Sequence, residues 1–141
     1  MIIDASVVLN AFFPDESQAI AQNIIRDHVT GQVLLKAPDL LHYELTNAVW
    51  QAERRKRIRT EQTQDLIEAM EGLGIELVTL EWGEMLPLAR RFSCSSYDAA
   101  YLQIAQNLDE PLVTGDEKLY NAVRGQLSNV IWVGDYRSPI E

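Results

Sequence analysis

The stretch SSYDAAYLQIAQNLDEPLVTGDEKL, residues 95–119, holds a helix, a strand and the opening of a second helix in one short span. Ser95 or Ser96 stands where an N-cap belongs, and Tyr101, Leu102 and Ala105 follow Asp98 at i+3, i+4 and i+7, one helical face running to about Leu108. Pro111, Leu112 and Val113 then make a short apolar strand, and the Gly115-Asp116 turn starts a short helix. A strand this apolar, set between helices, belongs in a parallel sheet covered on both faces.

The same alternation extends outward in both directions. Ile2 and Ile3 read as a buried strand ending in Asp4, followed by an apolar turn from Val7 to Phe13. Pro14-Asp15 breaks it, and Asp15 is placed to cap a helix through about His28, with Ile20, Ile24 and His28 every four residues and Gly31 beyond. Val33, Leu34 and Leu35 are the expected second strand. Pro38-Asp39 opens a helix whose Leu41, Leu45, Ala48, Val49 and Ala52 share one face. Thr60 is expected to cap the next, which carries Leu66, Ile67 and Met70 and is stopped by Gly72 and Gly74. Ile75, Leu77 and Val78 form a third strand. Trp82, Met85, Leu86 and Ala89 lie at helical spacing, with Pro87 in the first turn, and Val130 to Val133 make a fifth strand. The pattern predicts one α/β domain over residues 1–141, built on a mainly parallel sheet of about five strands between helical layers.

Composition agrees with a globular chain. At 141 residues, 47% hydrophobic and 23% charged, it is long enough for a sizeable core and unlike disordered or repetitive sequences. Twelve basic against 21 acidic residues give a net charge of −9, so bulk electrostatics repel polyanions, and any nucleic-acid contact must be local. Cys94 is the single cysteine, and with only His28 and His42 beside it no standard four-ligand zinc site can form. The expected setting is the reducing cytoplasm, with neither export nor membrane insertion.

Parallel sheets gather ligands at the carboxyl ends of their strands, and Asp4 and Asp116 both fall there. Asp98 points along a helix face that should be buried, and Glu44 lies at the border of its helix's apolar stripe with Asn47 three residues on. Each acid alone has a structural use, as a cap, a dipole partner or a solvated flank. Together they would repel by about 4 kcal/mol per pair at 4 Å and an effective dielectric near 20. A hard divalent ion, magnesium or manganese, relieves that repulsion and can activate water at a phosphodiester. Phosphate-cradling loops, serine-hydrolase elbows and H-E-x-x-H zinc motifs are absent, and a phosphoacceptor site lacks its paired acids.

Asp4-Ala5-Ser6, Glu44 within Tyr43-Glu44-Leu45-x-Asn47, the run SSYDAAYLQIA and the run LVTGDEKL resemble, in this order and spacing, the PIN-domain ribonucleases and more narrowly the VapC-type toxins of toxin-antitoxin pairs. The resemblance covers essentially the whole chain. It implies a PIN-like α/β/α sandwich and a magnesium- or manganese-dependent endoribonuclease leaving 3′-hydroxyl and 5′-phosphate ends. It also implies a homodimer and a heteromeric complex with a cognate antitoxin. Carried over by position, Asp4, Glu44, Asp98 and Asp116 are the acidic quartet that serves metal and catalysis. Ser6 and Thr114 are supporting hydroxyls, and Asn47 is a further polar candidate.

Five of the twelve basic residues, Arg54, Arg55, Lys56, Arg57 and Arg59, fall within six positions, either to attract RNA phosphates or to complement a helix C-terminus and its neighbouring acids. Tyr97, Tyr101, Trp50 and Trp82 have the faces to stack on bases, but most of them lie on helical lines assigned to the core, which predicts packing there.

Overall fold

Ile2 and Ile3 are completely buried, which a two-residue strand achieves only with neighbours on both sides and helices on both faces. They form β1 (Ile2–Ile3), the middle strand in a computed structural model that describes residues 1–141. The other strands are β2 (Lys36–Pro38), β3 (Glu76–Val78), β4 (Leu112–Thr114) and β5 (Val130–Trp132). Their order is β3-β2-β1-β4-β5, and every neighbouring pair is parallel. Seven helices fill the connections: α1 (Ala5–Phe12), α2 (Ala19–Val29), α3 (Leu40–Arg54), α4 (Thr60–Glu71), α5 (Met85–Phe92), α6 (Ser96–Leu108) and α7 (Glu117–Val123).

Crossovers, right-handed as a rule between parallel strands, carry the chain out from β1 to β3 over one face and back to β4 and β5 over the other. Accordingly α1 packs on α2, α3 and α4, while α6 packs on α5 and against β1, β2 and β4. The result is the α/β/α sandwich with a parallel five-stranded sheet that the alternation predicts. Helix α3 buries Leu41, Leu45, Val49 and Ala52, the face read from its spacing. Helix α6 buries every residue from Ala99 to Ala105, since it lies between the sheet and α5.

Several boundaries differ from the sequence reading, and the apolar turn read from Val7 to Phe13 is the helix α1. The second strand is Lys36–Pro38 instead of Val33, Leu34 and Leu35, because the Asp27 carbonyl holds the Gln32 and Val33 N–H groups in the turn after α2. The Lys36 N–H reaches the Met1 carbonyl at the start of the strand. Helix α2 starts at Ala19, not at Asp15, whose carboxylate takes two hydrogen bonds from the Arg57 guanidinium at 2.8 and 2.9 Å. Thr60 is the first residue of α4, and the Gln62 side chain accepts the Arg59 N–H just before it.

The strand order reverses between β1 and β4. Such a switch point opens a crevice at the carboxyl edge, because the two connections leave toward opposite faces.

Candidate active site

Register alone brings the first pair of functional groups together. Ile3 lies beside Val113, so the residues that follow, Asp4 and Thr114, meet at the switch point. The Thr114 hydroxyl donates to Asp4 Oδ2 and accepts the Asp116 N–H at 3.0 Å. The Ser6 hydroxyl donates to Asp4 Oδ1 and accepts the Gly115 N–H at 2.8 Å. Both carboxylate oxygens are therefore held, and the start of α1 is stitched to the end of β4. Gly115 permits that closeness, since a Cβ there would stand 2.8 Å from Asn10 Nδ2 and 3.3 Å from Ser6 Oγ.

Asp4 is buried, and burial pushes its carboxyl up to about 6. The two hydroxyl bonds pull it down and the Asp116 charge pushes it further up. Asp116 caps α7, its Oδ1 accepting the Leu119 N–H at 3.2 Å. Asp98 sits in the first turn of α6, where Ser95 Oγ accepts its N–H at 3.1 Å. Its half-buried carboxylate is raised by burial and by Asp116, with Ser95 and Lys118 opposing. Glu44, half-buried on α3, accepts the Tyr101 hydroxyl on Oε1 at 2.6 Å. Burial raises it first, Tyr101 lowers it, and the charges of Asp98 and Asp116 raise it again.

Asp116 is thus felt by all three of the other acids, and the quartet shares one electrostatic neighbourhood. None of the four forms an ion pair with a lysine or arginine. Hard oxygen donors that repel one another and are held in no ion pair fit a divalent cation such as Mg2+ or Mn2+. No three His, Cys, Asp or Glu side chains are closed into a ready ligand cluster, so the fit is one of donor chemistry. An apolar groove of about 250 Å³ opens between α3 and α4 and is lined by none of the four acids.

Comparison with known proteins matches residues 1–125 to the PIN domain family. The chain belongs to the PIN domain family. It is homologous to VapC-type ribonucleases. Ribonuclease VapC3 of Pyrobaculum aerophilum is 26% identical over 123 residues, covering 84% of this chain and 91% of the relative. Ribonuclease VapC1 of Mycobacterium tuberculosis is 27% identical over 126 residues, covering 84% and 86%. The crystal structure of PAE2754 from Pyrobaculum aerophilum superposes with a TM-score of 0.69 at 24% identity, covering 94% of this chain and 90% of that one, which is a likeness of fold.

In this PIN domain Asn47 lies exposed one turn beyond Glu44, without a side-chain hydrogen bond. Arg54 begins the basic run ten residues past Glu44, about 15 Å along the helix at 1.5 Å per residue. Arg57 is committed to Asp15 and Glu16 and lies over the Phe13 ring, and Arg54 lies over Trp50. Arg55, Lys56 and Arg59 are exposed.

The aromatic residues depart from expectation. Trp82 is 86% exposed, Tyr97 64% and Trp50 52%, and only Tyr101 is buried. Trp82 belongs to a 3-10 turn preceding α5, where α-helical spacing does not hold, and Tyr97 lies on the open first turn of α6. Tyr101 is the polar contact that the sequence reading missed. The signal for it was present, because a tyrosine assigned to the core still needs a partner for its hydroxyl.

No helix of the chain is long and apolar enough to cross a membrane.

Proposed function

We propose that residues 1–141 act as one metal-dependent endoribonuclease, hydrolysing RNA phosphodiester bonds with Mg2+ or Mn2+, and that the protein is the cytoplasmic toxin of a VapBC-type pair. The observation that carries this reading is Asp4, a buried carboxylate held through both oxygens at the sheet's switch point, in the field of a second acid on the same edge. The names of its VapC relatives, which are ribonucleases, support the reaction.

Asp4, Asp98 and Asp116 would hold the ion, with Glu44 beside them. When bound, the ion supplies activation of water and stabilisation of charge on the phosphate and leaving oxygen. Ser6 and Thr114 fix the Asp4 carboxylate and so set where its electron pairs point. Glu44, pushed up by burial and by two neighbouring acids, is suited to take the proton from the attacking water. Asn47, exposed one turn on, would touch the substrate. Arg54, Arg55, Lys56 and Arg59 attract phosphates further along the strand, with Arg57 chiefly tying α3 to the loop after α1. A homodimer and a heteromeric complex with a cognate antitoxin complete the proposal, and exposed Tyr43 and Trp82 supply apolar surface for association.

The test is cleavage of end-labelled total RNA by antitoxin-free protein with magnesium, manganese or EDTA, alongside Asp4→Ala. Metal-dependent cuts that vanish in the variant are expected, with 3′-hydroxyl and 5′-phosphate ends. A folded protein that cleaves nothing under any metal points instead to a PIN module that only binds, and 2′,3′-cyclic phosphate ends reject water as the nucleophile.

A further inference from the structure

Tyr101 sits in the middle of the α6 run that is buried on every side, and it is 2% exposed. Packing explains its ring but not its hydroxyl, which needs a partner wherever water is excluded. The partner is Glu44 Oε1 at 2.6 Å, on α3, in the opposite helical layer and 57 residues away in sequence. The bond therefore crosses the carboxyl edge of the sheet. Helix α6 packs on β1, and the Asp4 charge just beyond that strand acts on the phenol.

We propose that Tyr101 is a positioning residue for the acidic site: its hydroxyl holds Glu44 through Oε1 and presents Oε2 alone to the crevice. The proposal rests on the nuclease reading above and adds a part to it. A glutamate side chain has three rotatable bonds, and this one makes no other hydrogen bond or ion pair. Asp4 is fixed by two hydroxyls, Ser6 on α1 and Thr114 at the end of β4, Asp116 by its cap, and Glu44 by this single reach from α6. The phenol is a donor to Glu44 that stays protonated, since burial and the Glu44 and Asp4 charges push its ionisation far above the usual tyrosine range. It holds a carboxylate without competing for a proton.

A tyrosine that only fills the core would lose stability on becoming phenylalanine, and nothing more. The experiment compares wild type, Tyr101→Phe, Glu44→Gln and the double variant. Each is melted in EDTA, titrated with Mn2+ by electron paramagnetic resonance, and assayed for RNA cleavage at saturating metal. Tyr101→Phe is expected to fold, to bind Mn2+ about tenfold more weakly and to lower kcat by about 10- to 100-fold with KM nearly unchanged. In the Glu44→Gln background the same change is expected to leave Mn2+ affinity where it was, because the tyrosine acts through that carboxylate. Wild-type Mn2+ affinity and kcat in a folded Tyr101→Phe protein overturn the positioning role and leave the nuclease standing. An undiminished Mn2+ effect of Tyr101→Phe in the Glu44→Gln background overturns the route through Glu44. A wild type that neither binds Mn2+ nor cuts RNA overturns the nuclease reading and this proposal with it.

Discussion

Asp4 is a destabilising residue kept in place by its neighbours. Its carboxyl rises from the ordinary 3.8 to about 6 because burial outweighs the Ser6 and Thr114 bonds. The folded chain therefore holds more protons than the unfolded one between these values, so stability falls as pH rises through that window and stays low above it. Asp4→Asn removes the effect. In EDTA, the variant is expected to gain on wild type by on the order of 1 kcal/mol more at about pH 7.5 than at about pH 5, as measured by urea unfolding. An equal difference at both pH values would show that Asp4 does not titrate in this window. Thr114→Val tests the support rather than the acid. It deletes the donor to Asp4 Oδ2 and the acceptor of the Asp116 N–H together, and is expected to cut metal affinity about 10- to 100-fold while the far-ultraviolet circular dichroism is unchanged.

Elements were more legible than their joints. The spacing of α3 gave its buried face, since a 3.6-residue period survives in one dimension, whereas β2 was misplaced because a turn closed on the Asp27 carbonyl and two long-range facts, the Met1 carbonyl and the register with Ile2, decide it. The four acids could be read from chain position, but the reach of Tyr101 to Glu44 depends on two helical layers whose separation no local pattern encodes. The C-terminal segment is a second such joint. Asp27, completely buried on α2, accepts the Tyr136 hydroxyl at 2.7 Å and Arg26 Nη2 at 2.9 Å. Burial pushes it up, but Tyr136, Ser138 and Arg26 together hold it below the usual carboxylate range. Tyr136→Phe is expected to cost about 1–2 kcal/mol, measured by urea unfolding near neutral pH, with RNA cleavage unaffected. Because Asp27 is depressed, its contribution is present above the unfolded value and lost as pH falls through the folded one, opposite in sign to Asp4. At the far end of α3, Arg55→Glu is expected to weaken RNA binding and reduce its salt slope by about one or two. An unchanged slope would assign the basic run to the helix terminus alone.

For the whole molecule, a net charge of −9 with four acids held in no ion pair around one crevice would make the proposed metal a structural partner as well as a chemical one. An ion that binds only the folded chain stabilises it by RT ln(1 + [L]/Kd), about 1.4 kcal/mol at tenfold excess over Kd. For a chain of this length that is a rise in melting temperature of about 3–6 °C. Wild type is expected to show the rise with Mg2+ or Mn2+, and the Mg2+ rise is expected to persist when sodium chloride is raised to match ionic strength. Asp98→Asn should fold, melt at or above the wild-type temperature in EDTA, and lose most of the response, because it removes both a donor and a repelling charge. General screening of an acidic surface would raise wild type and variant alike and would be reproduced by salt. A shift that separates the two proteins, and that salt does not reproduce, assigns the cation to the crevice between β1 and β4.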